Sequence, residues 1–150
     1  MNRTELKTAL FKLDNLLKSL EIDYVVTGTL ALDILGVPVD YMPQDIDVQV
    51  CDLTDGQKAE LQRLHDLAGI NSNEAYKSIC FSFLINGIKV NVIVIDSIMP
   101  TYGIPIQLND LHTINVQEVK YALAEKANLK RIKDDKYIKT LGINILSYLL

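Results

Sequence analysis

The sequence predicts an α/β fold of the α+β kind, in which helices flank a mixed sheet. Three observations predict it: leucines at helical spacing near the N-terminus, a short apolar strand that enters a helix through Gly28, and a hairpin signal at Asn86-Gly87 between two β-rich runs. The chain has 150 residues, of which 49% are apolar, and this is enough to build one core. We therefore expect strands and helices to share a single core.

No internal repeat, low-complexity tract or linker divides the chain. We expect one domain over 1–150, with a sheet core at about 22–96 and a helical part at about 115–150. The net charge of −4 and the pI near 5.1 argue against a broad, sequence-independent grip on nucleic acid. The N-terminus lacks the uninterrupted apolar core of a signal peptide, and no run approaches the roughly 18 apolar residues of a membrane span. We expect a cytoplasmic protein with no membrane partner.

The first elements are marked by periodicity and by glycine. Leucines recur at alternating steps of four and three, which indicates an amphipathic helix that packs by one face; they are Leu6, Leu10, Leu13, Leu17 and Leu20. Residues 23–27 then form a short apolar strand that stops at Gly28. The helix that follows is closed by Gly36 and Pro38.

The middle of the chain carries an acidic strand, a helix and a hairpin. The strand covers 45–50, and the next helix starts at Thr54-Asp55 and ends at Gly69. Two β-rich runs, 78–85 and 88–95, flank Asn86-Gly87 and predict the hairpin.

The last third of the chain begins with a loop. Pro100, Gly103 and Pro105 interrupt it, so it has room for one short edge strand around 104–108. From Val116 onward the pattern predicts two helices, joined by the basic link N-L-K-R-I-K.

Two acidic residues on the predicted strand form the strongest site signal. Asp45 and Asp47 are two residues apart, so strand alternation places both carboxylates on one face. Like charges at this range are costly unless a cation lies between them. Mg²⁺, with Mn²⁺ as a substitute, fits because it takes hard oxygen ligands from one or two carboxylates and from substrate phosphates. The alternative is an edge strand with a solvent-facing acidic stripe, since Gln49 continues the same face.

Candidate phosphate-binding residues lie in two places. Gly28 and Thr29 stand where a strand passes into a helix, so their N–H groups and the Thr29 hydroxyl could face a phosphate. A plain turn with a helix N-cap is the alternative. The second place is a dense basic set, whose alternative is a solvated helix end; its members are Lys126, Lys130, Arg131 and Lys133.

Four other residues carry little chemistry. Cys51 and Cys80 lie in strand-like stretches without metal-binding spacing, which favours buried, reduced thiols over a disulfide frame or a zinc site. His65 and His112 have no partner at metal-ligand or catalytic-triad spacing. We expect structural or surface roles for both histidines.

The order G-T, then D-I-D-V on the next strand, then a hairpin resembles the nucleotidyltransferase superfamily related to DNA polymerase β. That family's pattern is hydrophobic-Gly-(Gly or Ser), a spacer, then acid-hydrophobic-acid, with another acid on a later strand. Thr29 stands here where Gly or Ser is usual. The segment A-E-K-A-N-L-K-R-I-K-D-D-K-Y-I is similar to the lysine helix of small antitoxin-like and antibiotic-modifying members.

The resemblance implies a reaction and a cofactor. It implies Mg²⁺-dependent transfer of a nucleotidyl group from ATP or another nucleoside triphosphate to an acceptor hydroxyl, with Asp45 and Asp47 as metal ligands and two metal ions possible. The acceptor is open between a small molecule, a protein and RNA. The apolar ending I-N-I-L-S-Y-L-L could make a homodimer contact or pack in the chain's own core.

The chain departs from the family's pattern at the third acid, where Asn91 stands. An amide brings no charge and cannot serve as a general base. Asp96, five residues further on, would point to the other face of a regular strand. Three explanations stay open: Asn91 is a weak ligand in a slow enzyme, the third acid comes from elsewhere, or the protein is a catalytically impaired, antitoxin-like module that binds a nucleotide, a metal or a protein partner.

Overall fold

The computed structural model describes residues 2–38, 42–70, 79–95 and 103–129, with the backbone alone for 125–129. Its described parts hold four helices and six strands, which confirm the α+β class. In chain order they are α1 (Arg3–Ser19), β1 (Val25–Thr27), α2 (Gly28–Ile34), β2 (Asp45–Val50), α3 (Asp55–Ala68), β3 (Cys80–Ile85), β4 (Ile88–Val94), β5 (Gly103–Gln107), β6 (Thr113–Gln117) and α4 (Val119–Leu129).

The six strands form one mixed sheet in the order β3-β4-β2-β1-β6-β5. β2 is parallel to β4 and β1 is parallel to β6, while the other neighbours are antiparallel. The acidic strand β2 therefore lies inside the sheet, with Thr27 of β1 opposite Asp47 on one side and Asn91 of β4 opposite it on the other. The alternative of an edge strand with a solvent-facing stripe is wrong, and Gln49 on the same face is buried.

One face of the sheet is apolar and packs into the main core. Its side chains come from every second strand position; they are Val26, Ile46, Val48, Phe81, Phe83, Val90, Val92, Ile114 and Val116. The predicted amphipathic stripe of α1 joins the same cluster through Leu6, Leu10, Leu13 and Leu17, and α3 joins it through Leu61. Because successive side chains of a strand point to opposite faces, the other face of the sheet carries the residues between these apolar positions.

Local signals set the ends of α3 and the hairpin turn as predicted. Thr54 caps α3 in a reciprocal pair with Gln57, whose side chain also donates to the carbonyl of Leu20 at 3.0 Å. Gly69 follows the helix in the left-handed conformation, with φ at 64°. At the hairpin, Asn86 and Gly87 have φ values of 53° and 77°, as a type I′ turn requires.

A buried polar cluster joins α1 to the residues that come directly before β1 and β6. The carboxylate of Asp14, 1% exposed, accepts hydrogen bonds from Lys18 at 2.8 Å and from Tyr24, and lies 2.8 Å from His112 Nδ1. Burial alone would raise the pKa of Asp14, but together these hydrogen bonds outweigh it and hold the pKa below its usual value. Burial, helped by Asp14, raises the pKa of Tyr24.

Both histidines have structural surroundings, as expected. His112 is buried and stacks on Phe11 with ring centroids 4.5 Å apart. The Nδ1 atom of His65 lies 3.0 Å from the backbone N and O atoms of Ser82. It thereby covers part of β3, which is an outer strand of the sheet.

The structure corrects three expectations. The chain is not helical from Val116, because Val116 and Gln117 belong to β6 and α4 begins at Val119. The sheet therefore extends past the predicted core at about 22–96, and β5 is the edge strand expected near 104–108. Cys51 and Cys80 are reduced but only half-buried, so the prediction that both are buried is wrong.

The second C-terminal helix and most of the basic link lie outside the described residues. Within the described parts of the chain, no helix combines the length and the apolar character needed to cross a membrane.

Candidate functional site

Five neighbouring strands each place one polar side chain at the same level on the face opposite the main core. The register pairs Ser82 with Asn91, Asn91 with Asp47, and Asp47 with Thr27. Gln117 extends the row, because its neighbour Val116 pairs with Val26 and alternation turns Gln117 to the face of Thr27. All except the half-buried Asp47 are at most 2% exposed. The sheet thus has a polar row across its centre.

Hydrogen bonds connect the first three members of this row. Ser82 Oγ donates to Asn91 Oδ1 at 2.7 Å, and Asn91 Nδ2 donates to Asp47 Oδ1 at 2.7 Å. An ionised carboxylate can only accept, so the atom of Asn91 that faces Asp47 must be the NH₂ group. Asn91 therefore offers Asp47 a donor, while its carbonyl oxygen bonds Ser82.

The glycine turn lies against Asp47. Gly28 is the first residue of α2 and has φ at 70°, a conformation that favours glycine. A Cβ atom at this position would lie 3.3 Å from Asp47 Oδ2. The structure therefore brings Gly28, Asp47 and Asn91 together, with Asn91 on one carboxylate oxygen and the Gly28 turn beside the other.

Asp45 lies on the same face of β2 as Asp47 and is also half-buried. Lys89 of β4 stands opposite Asp45 in the parallel register, on that same face. The alternation of I-K-V-N-V puts Lys89 and Asn91 on one side of β4, so the sequence carried the signal for a cation beside the acidic pair. Sequence analysis missed Lys89 because the pairing of β2 with β4 was not known.

The donor set fits a hydrated divalent cation. Two half-buried carboxylates on one face, beside a turn without a side chain, suit Mg²⁺, which is usually held by one or two carboxylates plus substrate phosphates. Among the described residues, no group of three His, Cys, Asp or Glu side chains converges on one point. The described side chains therefore suit an ion that completes its shell with water and phosphate oxygens.

The predicted phosphate-binding residues are placed only in part. Thr29 is half-buried in α2, which has seven residues, so its helix dipole is short. The N-cap of α2 is Thr27, which makes no side-chain cap bond; its hydroxyl lies 3.4 Å from the carbonyl oxygen of Asp47. The backbone of Lys126 lies in α4. Lys130, Arg131 and Lys133 lie outside the described residues.

Sequence analysis also missed Gln117. Its Oε1 atom is buried and has no hydrogen-bond partner among the described residues. The alternation of T-I-N-V-Q could have predicted a strand with Gln117 on the polar face, but the chain here was expected to be helical.

Comparison with known proteins identifies the fold of the chain. No protein-family model and no curated protein matches the chain. Its structure is similar to the crystal structure of a candidate nucleotidyltransferase from Thermotoga maritima, with 22% identity, coverage of 93% of this chain and 94% of that chain, and a TM-score of 0.65. It is also similar to an antigenic nucleotidyltransferase-like protein from Paracoccidioides brasiliensis, with 17% identity, coverage of 98% and 78%, and a TM-score of 0.57. The chain has the nucleotidyltransferase fold.

Proposed function

On this fold, we propose that the protein binds the Mg²⁺ complex of a nucleoside triphosphate at Asp45 and Asp47 and transfers the nucleotidyl group to an acceptor hydroxyl. One observation carries the proposal: two carboxylates share a face of an interior strand, and a Cβ at Gly28 would lie 3.3 Å from Asp47 Oδ2. Partly buried like charges are costly; Lys89 opposite Asp45 offsets part of this cost, and we propose that a divalent ion offsets the rest.

The residues divide into two roles. Asp45 and Asp47 would hold the cation through their carboxylate oxygens. The turn at Gly28-Thr29 would let phosphate oxygens approach the backbone, because residue 28 has no side chain there. Mg²⁺, when bound, neutralises phosphate charge and polarises the phosphoryl group. Lys126, Lys130, Arg131 and Lys133 are proposed as further phosphate contacts.

The proposed reaction forms a bond from the acceptor oxygen to the α-phosphorus. The bond between that phosphorus and the oxygen bridging to the β-phosphorus breaks, and pyrophosphate leaves. Asn91 cannot take the acceptor's proton, so we propose that the proton passes to water. The lack of a positioned base lowers such rates by roughly 10²–10⁴-fold, and slow transfer is the expected behaviour.

A second candidate is a module that binds the nucleotide without transferring it, as in an antitoxin-like role. The hydrogen bond from Asn91 Nδ2 to Asp47 favours it, because this position offers a donor instead of a base. Both candidates share the nucleotide site and differ only in turnover.

Calorimetric titration tests the shared site. Mg²⁺ with ATP, GTP, CTP or UTP is titrated into the native chain, Asp47→Ala and the control Asp110→Ala, which removes an exposed carboxylate outside the site. We expect Asp47→Ala to bind at least roughly 10-fold more weakly than the other two chains. Absence of binding by the native chain to all four nucleotides would overturn both candidates.

Transfer of label from the α-phosphate to an acceptor separates the two candidates. The native chain and Asn91→Asp are incubated with Mg²⁺, α-labelled nucleotide and cellular small-molecule, RNA or protein fractions as acceptors. Transfer of label by the native chain supports the enzyme. Label transferred by Asn91→Asp alone, with nucleotide bound by both chains, supports the binding module.

A further inference from the structure

We infer that the Ser82–Asn91 pair limits the nucleotide site to one divalent cation, an inference that rests on the proposed function. The family resemblance allowed two metal ions around Asp45, Asp47 and the third position. The geometry at Asn91 points to a different arrangement, in which the third position presents an amide N–H group to Asp47 in place of a carboxylate oxygen.

The first observation behind this inference is the hydrogen bond between Asn91 and Asp47. At 2.7 Å, Asn91 Nδ2 uses a hydrogen-bonding position of Asp47 Oδ1. Its hydrogens carry partial positive charge and repel a cation, and nitrogen in an amide has no lone pair to offer a metal. A cation held by Asp47 is therefore directed to the side of Oδ2, which lies next to the Gly28 turn.

The second observation is that Ser82 and Asn91 are both buried. Asn91 and Ser82 are both 0% exposed, and the amide is held at both ends by 2.7 Å hydrogen bonds. Turning the amide over would lose the charge-assisted bond to Asp47 and bring two oxygens together. Ser82 thus acts as a positioning residue that keeps the donor end of Asn91 on Asp47.

The third observation is the charge of the side chains around Asp47. Asp45 and Asp47 supply two negative charges, and Lys89 stands opposite Asp45 on the same face of the sheet. The lysine offsets part of this negative charge, so the protein side of the site is less favourable for a second divalent ion.

Counting bound Mn²⁺ tests the inference. Equilibrium dialysis with saturating α,β-methylene-ATP, read by electron paramagnetic resonance, gives the number of protein-bound Mn²⁺ ions per chain. We expect about one for the native chain, about two for Asn91→Asp, and about one for the control Asn15→Asp, which makes the same chemical change at an exposed position of α1.

Thermal unfolding adds a readout that is independent of turnover. Asn91→Asp places a third carboxylate at a fully buried position beside Asp47, so its Tm should fall without divalent ions and rise with Mn²⁺ by more than that of the native chain. Asn15→Asp should show neither change.

Ser82→Ala tests the positioning role. Without the bond from Ser82, the Asn91 amide is free to turn its oxygen toward a cation, so Mn²⁺ should bind several-fold more tightly, and Ser82→Thr, which keeps the hydroxyl, should restore the native affinity. Phe83→Leu, on the same strand but facing the main core, is the control for lost stability alone and should leave Mn²⁺ affinity unchanged. Equal Mn²⁺ affinity in Ser82→Ala and the native chain would remove Ser82 from the inference.

The outcomes separate this inference from the proposed function. Two Mn²⁺ ions in the native chain, or one ion in both the native chain and Asn91→Asp, would overturn the inference and leave the nucleotide site standing. Absence of bound Mn²⁺ in every chain would remove the site itself. If Asn91→Asp fails to fold, a native count of two still overturns the inference, and the Mn²⁺ affinity of Ser82→Ala still tests the Ser82–Asn91 pair.

Discussion

Gly28 lies so close to Asp47 that a Cβ atom at position 28 would be 3.3 Å from the carboxylate oxygen Oδ2. Its φ of 70° is also unfavourable for any residue with a side chain. Gly28→Ala should therefore lose about 1–2 kcal/mol of unfolding free energy and also weaken nucleotide binding.

Gly36→Ala is the matched control for this change. Gly36 has φ at 80°, and a Cβ there would meet nothing within 4 Å. We expect a similar loss of stability in urea but unchanged binding of Mg²⁺ and ATP. Equal binding by both variants would argue that the Gly28 turn does not belong to the site.

Asp14 is predicted to be a major contributor to stability. Its carboxylate is 1% exposed and makes polar contacts with Lys18, Tyr24 and His112. Asp14→Ala therefore leaves three polar groups without their shared acceptor. The expected loss is about 3 kcal/mol by urea unfolding. Asn15→Ala, on the exposed side of α1, should change stability by less than about 0.5 kcal/mol. Similar losses in the two variants would contradict the role of the cluster.

Asp14 also predicts how stability depends on acid. Its pKa in the folded protein is lowered, so the folded state holds this proton less tightly than the unfolded state does. The stabilisation is fully present above the unfolded pKa of about 4 and is lost as pH falls through the folded pKa. Unfolding free energies between pH 7 and pH 2 should therefore fall more steeply for the native chain than for Asp14→Asn. Parallel curves would exclude Asp14 as a source of the acid sensitivity.

The cap of α3 makes a smaller, local prediction. The Thr54 side chain accepts a hydrogen bond from the backbone N–H of Gln57 at 3.1 Å, so Thr54→Ala should cost about 1 kcal/mol. Thr8 is an exposed threonine whose hydroxyl donates back to the carbonyl of Thr4 within α1. Thr8→Ala should be within about 0.5 kcal/mol of the native chain in the same denaturation assay, and a larger loss than for Thr54→Ala would refute the capping argument.

Elements with local signals could be predicted closely from the sequence. The ends of α3 at Thr54 and Gly69 depend on side chains within one turn of the helix, and Asn86-Gly87 defines its hairpin without help from the rest of the chain. β6 was missed because its five residues lead directly into a strong helical pattern and because one of its two neighbours, β1, lies far away in the sequence. Pairing between strands that are far apart in the sequence cannot be predicted from local residue patterns.

The candidate site shows the same division. Period-two alternation suffices to place Asp45 and Asp47 on one face. The orientation of the Asn91 amide depends on Ser82 and Asp47, which reach it from the strands on either side. The positions of Lys89 and Gln117 likewise depend on which strands are neighbours, so they became interpretable only with the sheet order.

The central place of β1 has a consequence for synthesis of the chain. β1 ends at Thr27, yet one of its two neighbours, β6, is completed only at Gln117. While a ribosome is still making the intervening residues, one edge of this apolar strand has no partner and is open to pairing with other chains. The sheet must therefore close late, and a chain released before residue 117 should aggregate instead of folding.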